Sequence, residues 1–228
     1  MSYNIERWPP PVTGSQPFQN VSFGEHVSIF GAPLTLPSHS MQQIKGAVLR
    51  SRLSFAEETW GKEGVKQMLA TFSEEDRRTL QSLLSSKWYP FELGKKLDAA
   101  VVDVLGKGDM ELFKRMGAAS AQMNLTTVHK SFLALGKPHA LLAKAPQIYG
   151  FYYETGRRTY EQTGERSGVL TTSDAETYST PDCLSVIGWY MRALEMCGAT
   201  GVVIVEEECR AKGGAVCRYR VTWEGMKA

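Results

Sequence analysis

The residues best suited to chemistry are cysteines near the C-terminal end of the chain. Cys209 and Cys217 flank a Gly-Gly pair, three consecutive glutamates precede Cys209, and Cys183 lies further upstream. Two thiols, a nearby carboxylate and a further cysteine could hold a zinc ion. The alternative is a set of buried free cysteines, which pack as small apolar residues. Spacing alone leaves both readings open.

A predicted β-hairpin carries Cys209 and Cys217, one near each side of its turn. Residues 202–205 and 216–221 are rich in β-branched side chains, and the glycines between them are typical of a turn. Residues 181–197 have apolar residues at helical spacing, which predicts a helix that carries Cys183.

The first part of the domain is predicted to be helical. Apolar residues recur at helical spacing from residue 44 to 72, and Ser73 with three acids after it favours a helix start. Further helices are expected over residues 90–105, from Asp109 to about 123, and over 125–135 and 138–144. Strands are expected over 157–164 and 167–172. Helices first, then strands with one intervening helix, indicate an α+β fold.

The domain boundary is expected near residue 40. Residues 1–40 hold most of the prolines and show no helical period, which predicts an extended arm, and residues 41–228 form the folded domain. The chain has 26 basic and 24 acidic residues, so its charge gives no argument for nucleic acid or membrane. No apolar run approaches the ~20 residues of a membrane span. The start lacks the layout of a signal peptide, so we expect a cytoplasmic protein.

Three stretches carry a resemblance to known families. Residues 44–48 (IKGAV) and 55–61 (FAEETWG) are similar to the opening helix of haem-based nitric-oxide sensor domains. Residues 209–219, as Cys-x3-Gly-x3-Cys-x-Tyr, resemble the closing hairpin of vinyl-reductase-type ligand-binding domains. Residues 88–90 (WYP) with 217–223 (Cys-x-Tyr-x3-Trp) are also similar to a bacterial family of uncharacterised proteins of about this length.

These families form a superfamily that also includes the transport-particle subunits of Golgi vesicle tethering. The resemblance implies N-terminal helices packed on a twisted antiparallel sheet, a C-terminal hairpin, and a pocket between the layers. It further implies a homodimer. Relatives use the pocket for haem, phenols or acyl chains.

The resemblance also implies a specific metal site. Phenol-sensing relatives hold zinc with a cysteine followed by a Glu-x2-Cys-x7-Cys run, which matches Cys183, Glu206, Cys209 and Cys217. The site would be closed and therefore structural. Positions 206 and 209 point to opposite faces of a regular strand, so a β-bulge is required. Glu207 or Glu208 could instead be the acid, or the cysteines could be unligated.

Haem is the lesser alternative. The sensors use a helical histidine as axial ligand and a Tyr-x-Ser-x-Arg motif for the propionates. His129 lies on a comparable predicted helix, and Tyr153-x-Thr155-x-Arg157 is a variant in which threonine keeps the hydroxyl. The spacing between His129 and Tyr153 is shorter than in the sensors, so haem is not the expected cofactor.

The predicted function is non-enzymatic binding or sensing of a hydrophobic or aromatic small molecule, with the signal passed through protein contacts. The predicted pocket residues are Trp88, Tyr89, Phe132, Phe151 and Tyr152. The alternative is a protein-interaction or assembly subunit in which these residues fill an aromatic core. No nucleophile elbow, phosphate-binding glycine loop or paired-carboxylate motif is present, so no enzymatic activity is expected.

Overall fold

Helices dominate the first two-thirds of the described chain, and antiparallel strands dominate the rest. The computed structural model describes residues 42–127 and 129–227. The helices are α1 (Gly46–Leu69), α2 (Glu74–Gln81), α3 (Phe91–Ala100), α4 (Leu112–Thr126), α5 (Pro138–Leu142), α6 (Ala145–Gly150) and α7 (Thr180–Met196). The predicted α+β class is confirmed. The arm predicted over residues 1–40 lies outside the described residues.

The strands form three antiparallel groups. In chain order they are β1 (Gln43–Lys45), β2 (Trp88–Pro90), β3 (Arg157–Gly164), β4 (Ser167–Ser173), β5 (Ala199–Thr200), β6 (Val203–Glu208), β7 (Cys217–Thr222) and β8 (Gly225–Met226). The main sheet has the order β3-β4-β7-β6, while β1 pairs with β2 and β5 with β8. Strands β6 and β7 are the predicted C-terminal hairpin.

Local sequence explains where several helices begin and break. Ser73 accepts a hydrogen bond from the Asp76 amide at 3.1 Å, which caps α2 as predicted. Ser179 caps α7 in the same way through the Asp182 amide at 3.2 Å. Helix α1 breaks at Gly61, whose φ of 71° and ψ of 176° lie outside helical values.

The prediction of a helix over residues 125–135 is wrong. Helix α4 ends at Thr126, and the chain then folds back so that the His129 amide donates to the Asn124 carbonyl at 2.8 Å. Only a 3-10 turn, Lys130–Phe132, follows. Phe132 is buried from this turn whereas Leu135 is exposed, so the apolar residues here do not form the buried face of one continuous helix.

The helix predicted over residues 90–105 is regular only in its first part. After α3 the chain widens into a π-helical turn, Val101–Leu105, in which the Gly106 amide donates to the Val101 carbonyl at 2.8 Å.

Two glycines set the tightest helix contact in the fold, between α4 and α7. A β-carbon on Gly117 would lie 2.0 Å from the Ser185 carbonyl oxygen, and one on Gly188 would lie 1.9 Å from that of Lys114. Both neighbours are backbone atoms, so neither helix can accept a side chain at the crossing without moving.

We therefore expect Gly188→Ala to destabilise the protein by about 3 kcal/mol, because overpacking forces the two backbones apart. Urea unfolding monitored by circular dichroism measures this change. Gly150→Ala is the matched control: no atom lies within 4 Å of its would-be β-carbon, so its unfolding free energy should change by less than about 0.5 kcal/mol. Equal stability of the two variants would contradict the backbone contact.

Candidate functional site

Three of the four cysteines form one buried cluster. The sulfurs of Cys183 and Cys217 are 3.7 Å apart and those of Cys183 and Cys209 are 3.6 Å apart. All three sulfurs lie within 4.8 Å of one another, and no disulfide joins them. A tetrahedral zinc with Zn–S bonds of about 2.3 Å has sulfur–sulfur edges of about 3.8 Å. The cluster therefore has the dimensions of a zinc site and could hold a metal ion.

Different elements bring the three thiols together. Cys183 lies in the first turn of α7, Cys209 follows β6, and Cys217 begins β7. The fourth cysteine, Cys197, is buried at the end of α7 and is not part of the cluster. The arrangement ties a helix to both sides of the hairpin.

The required β-bulge is present beside the cluster. The register of β6 against β7 shifts between Glu206 and Glu208, so that Glu206 pairs with Tyr219 and Glu208 with Arg218. Backbone amides support the sulfurs: the Arg210 amide donates to Cys217 Sγ at 3.4 Å. Such donors stabilise thiolates, the form that binds metal.

The three glutamates have different partners. Glu207 pairs with Arg220 at 2.7 Å on the surface. Glu208 accepts hydrogen bonds from the amides of Ala215 and Val216, so it orders the hairpin loop. Both acids are thereby occupied away from the thiols.

Glu206 is the acid that lies beside the cluster. Its Oε2 accepts from Lys212 Nζ at 2.6 Å, while its Oε1 is buried and has no hydrogen-bond partner among the described residues. A buried carboxylate oxygen without a partner is costly. The three thiols form the group within 4.8 Å, and the Glu206 carboxylate is not part of it, so this carboxylate would have to move closer to take the fourth position of a tetrahedral zinc.

The thiols do not ionise equally. The hydrogen bond from Cys183, supported by the Arg210 amide, lowers the pKa of Cys217 to about 6. Burial, and to a lesser degree the carboxylate of Glu206, raises the pKa of Cys209. Cys217 is therefore the first ligand that would be ready for a cation, since a metal binds the thiolate.

A second feature is a partly open cavity of about 70 Å³ lined by α1, α4, α7 and the segment around α6. It lies where two hydrophobic clusters of the domain meet. Apolar walls come from Val48, Met116, Ile148, Val186 and Trp189. The polar lining residues are Ser51, Arg52, Ser120, Asn124, Tyr149, Tyr152, Tyr153, Arg158, Asp182, Ser185 and Tyr190.

A buried ion-pair group forms one wall of the cavity. Arg52 donates through Nε and a terminal nitrogen to both oxygens of Asp98, and it lies 3.4 Å from Asp182. The Tyr153 hydroxyl donates to Asp182 at 2.7 Å, and burial keeps the pKa of Tyr153 well above its usual range. Burial also raises the pKa of Asp98, against the attraction of Arg52. This charged group is satisfied by its own members.

Two hydroxyls of the cavity have no partner. The Tyr190 hydroxyl and Ser185 Oγ are buried and make no well-formed hydrogen bond within the described residues, although the Arg158 guanidinium lies against the Tyr190 hydroxyl. Both side chains line the cavity. Buried polar atoms are nearly always hydrogen-bonded, so these hydroxyls indicate a missing partner in the cavity.

Of the predicted pocket residues, the cavity lining includes Tyr152 alone. Trp88 and Tyr89 lie on β2, where Lys45 Nζ sits 4.1 Å from the centre of the Trp88 ring. Phe132 and Phe151 pack on each other with ring centres 6.0 Å apart. These four aromatic side chains therefore pack elsewhere in the fold and do not line the cavity.

The four residues of the haem alternative do not share one site. The His129 ring packs against Phe151 at 5.1 Å outside the cavity lining. Arg157 is exposed and pairs with Asp174 at 3.2 Å. Thr155 Oγ1 accepts from the Glu176 amide at 3.1 Å.

Tyr153 lines the cavity, but its hydroxyl is committed to Asp182. The volume of the cavity is also far below the ~300 Å³ at which pockets for larger ligands begin. This arrangement does not fit a haem group.

The charged residues of the cavity were missed in the sequence. Arg52 and Asp98 fall on the buried faces of helices that otherwise look apolar, and Asp182 lies in the capped first turn of α7. An ionisable residue on an apolar helical stripe is the signal that could have identified them.

The chain belongs to a protein family. The model described as "Protein of unknown function (DUF2378)" matches residues 47–224. No curated protein matches the sequence.

Solved structures with a similar fold are H-NOX proteins, which are haem nitric-oxide sensors. One is the Fe(II) unliganded protein from K. algicida, at 13% identity and a TM-score of 0.62, covering 79% of this chain and 97% of that chain. Another is the Fe(II)NO form of the protein from S. oneidensis, at 14% identity and a TM-score of 0.61, covering 79% and 99%. Identities this low show the fold alone.

The fold that the resemblance to haem sensor domains implies is thus confirmed. The resemblances to vinyl-reductase-type domains and transport-particle subunits stay predictions. Within the described residues, no helix is long and apolar enough to cross a membrane.

Proposed function

We propose that this protein is a non-enzymatic sensing module that binds a small organic molecule in the cavity between α1, α4 and α7. The observation that carries the proposal is the pair of unpartnered hydroxyls, Tyr190 and Ser185, in a cavity with apolar walls. A ligand with a polar end and an apolar body would satisfy both kinds of surface. Its signal would pass to another protein, since the cavity is lined by three helices that also reach the surface.

We further propose that Cys183, Cys209, Cys217 and Glu206 hold one structural zinc ion. The sulfur spacing and the unpartnered Glu206 oxygen support this set. Four protein ligands leave no open position for substrate, so the ion would stabilise the fold and would not act in catalysis.

The direct test is native mass spectrometry of the purified full chain, followed by its absorption spectrum. We expect a mass above that of the zinc-loaded chain, with a small organic molecule released on denaturation. A haem absorption band would instead support gas sensing. Neither a bound molecule nor binding from a panel of small organic compounds would favour the alternative, an interaction subunit with a filled core.

Replacing Tyr190 with phenylalanine separates a ligand-binding role from a packing role. The variant removes a buried hydroxyl without a partner, so the ligand-free protein should be equally stable or gain about 1 kcal/mol. Ligand binding should weaken, which is measured as a smaller ligand-induced rise in melting temperature.

Tyr160→Phe is the matched control. Its hydroxyl bonds to His139 and its side chain is not part of the cavity lining. The ligand-induced shift should therefore be unchanged in this variant. A ligand-induced shift that survives in Tyr190→Phe would place the ligand elsewhere.

A further inference from the structure

We propose that the ligand of this cavity carries an anionic head group, a carboxylate, and that Arg158 is its counter-ion. The proposal rests on the proposed function and names the class of molecule that the cavity accepts. The guanidinium of Arg158 lines the cavity and has no carboxylate next to it.

Arg158 is a buried cation with no adjacent acid. Arg158 is only 6% exposed. Among residues 42–127 and 129–227, no carboxylate lies within 4.0 Å of its guanidinium. Its Nε donates to Thr172 Oγ1 at 2.9 Å. A guanidinium has five N–H donors; beyond Nε, the fork lies against the Tyr190 hydroxyl and faces the cavity that Arg158 lines.

The surroundings hold this guanidinium in place without neutralising it. It lies 5.0 Å from the centre of the Tyr149 ring and 5.7 Å from that of Tyr190. Stacking on aromatic faces orients a guanidinium for bidentate contacts. A buried guanidinium without an adjacent acid is poorly compensated, and an incoming carboxylate would pair with it directly.

The other charges of the cavity do not supply the missing partner. Asp98 and Asp182 together balance Arg52 and Arg158 in formal charge, but both lie against Arg52. Asp182 also takes the Tyr153 hydroxyl. The acids are therefore held on the α1 side, while Arg158 on β3 faces the cavity alone.

A carboxylate matches the remaining donors. Its two oxygens can accept from the Arg158 fork and from the hydroxyls of Tyr190 and Ser185, the two unpartnered groups of the cavity. The body of the ligand would contact the apolar wall formed by Val186 and Trp189. The cavity volume of about 70 Å³ indicates a short acid of a few carbons.

Matched pairs of probes test the head group on the full chain. The pairs are isobutyrate with isobutyramide and benzoate with benzamide, and the two members of each pair have the same shape but differ in charge. Inorganic phosphate tests whether any anion binds. Isothermal titration should show each acid binding roughly 10- to 100-fold tighter than its amide, as expected for hydrogen bonds to a charged group. Isobutyrate and isobutyramide should each bind more tightly than benzoate and benzamide, because the cavity is small.

The outcomes distinguish the two proposals. Amides that bind as tightly as the acids would overturn the carboxylate inference and leave the proposed function standing. Phosphate that binds as tightly as isobutyrate would also overturn it, since the site would then select charge alone. A chain that binds no organic probe and releases no small molecule would overturn both.

Arg158→Gln identifies the counter-ion. We expect acid binding to weaken roughly 10- to 100-fold and amide binding to weaken less, because the amide carries no charge to pair with Arg158. Circular dichroism of the ligand-free variant checks that it folds. Arg157→Gln, next to it but exposed and paired with Asp174, should change neither acid nor amide binding. Equal loss of acid and amide binding in Arg158→Gln would assign the residue a purely structural role.

Discussion

Cys209→Ser is expected to abolish the binding of one zinc ion per chain and to lower stability by about 4 kcal/mol. The ion would close a loop of about 35 residues between Cys183 and Cys217, and a crosslink of that length restricts the unfolded chain by about this amount. Serine is a poor zinc ligand and leaves the remaining thiols too few to hold the ion tightly. Metal analysis by mass spectrometry and urea unfolding measure the two losses.

Two controls make this result specific to the cluster. Cys197→Ala removes a buried cysteine that lies outside the cluster, so it should keep the zinc. Glu206→Gln should weaken zinc binding, whereas Glu207→Gln should not, because Glu207 pairs with Arg220 on the surface. If the purified parent chain holds no metal and Cys209→Ser melts at the same temperature as the parent, the proposed site is wrong.

Arg52→Met is expected to destabilise the protein by about 3–5 kcal/mol, because it leaves two buried carboxylates without their cation. Asp98 is 3% exposed and Asp182 is 7% exposed. Urea unfolding at pH 7 measures the loss. Arg78→Met is the control: Arg78 pairs with Glu74 one turn away on the surface, so it should cost less than about 0.5 kcal/mol.

The pH dependence of this variant follows from the same burial. Burial raises the pKa of Asp98, and the attraction of Arg52 opposes that rise. Without Arg52 the folded-state pKa rises further above the unfolded value, so the folded state holds the proton more tightly. The penalty should therefore shrink as the pH falls from 7 toward 5 and grow as it rises. A penalty that is constant over this range would show that lost packing dominates.

The cysteine cluster was the most predictable part of this molecule. Cys209 and Cys217 lie close to the turn that Gly213 and Gly214 predict, and this local spacing restricts where the two thiols can meet. Which of the three glutamates faces the thiols was not predictable. That choice depends on a one-residue register shift in β6, and a shift of one residue moves a side chain to the other face of the sheet.

The cavity was much less predictable, because its lining comes from positions far apart in the chain. Tyr152 was identified because it lies in an aromatic run, but Arg52, Asp182 and Arg158 meet only through packing of α1, α7 and β3. The aromatic type of a residue did not predict that it lines the cavity, since Phe132 and Phe151 pack on each other and on His129. The two adjacent arginines show the limit best, since strand alternation buries Arg158 and exposes Arg157.

The glycine crossing of α4 and α7 has a mechanical consequence. Carbonyl oxygens of each helix occupy the space where a side chain of the other helix would lie. The two helices therefore cannot slide or separate without losing their closest contact. We therefore expect these two helices to stay fixed relative to each other, so that any widening of the cavity would come from the opposite side, where α1, Tyr152 and Tyr153 lie.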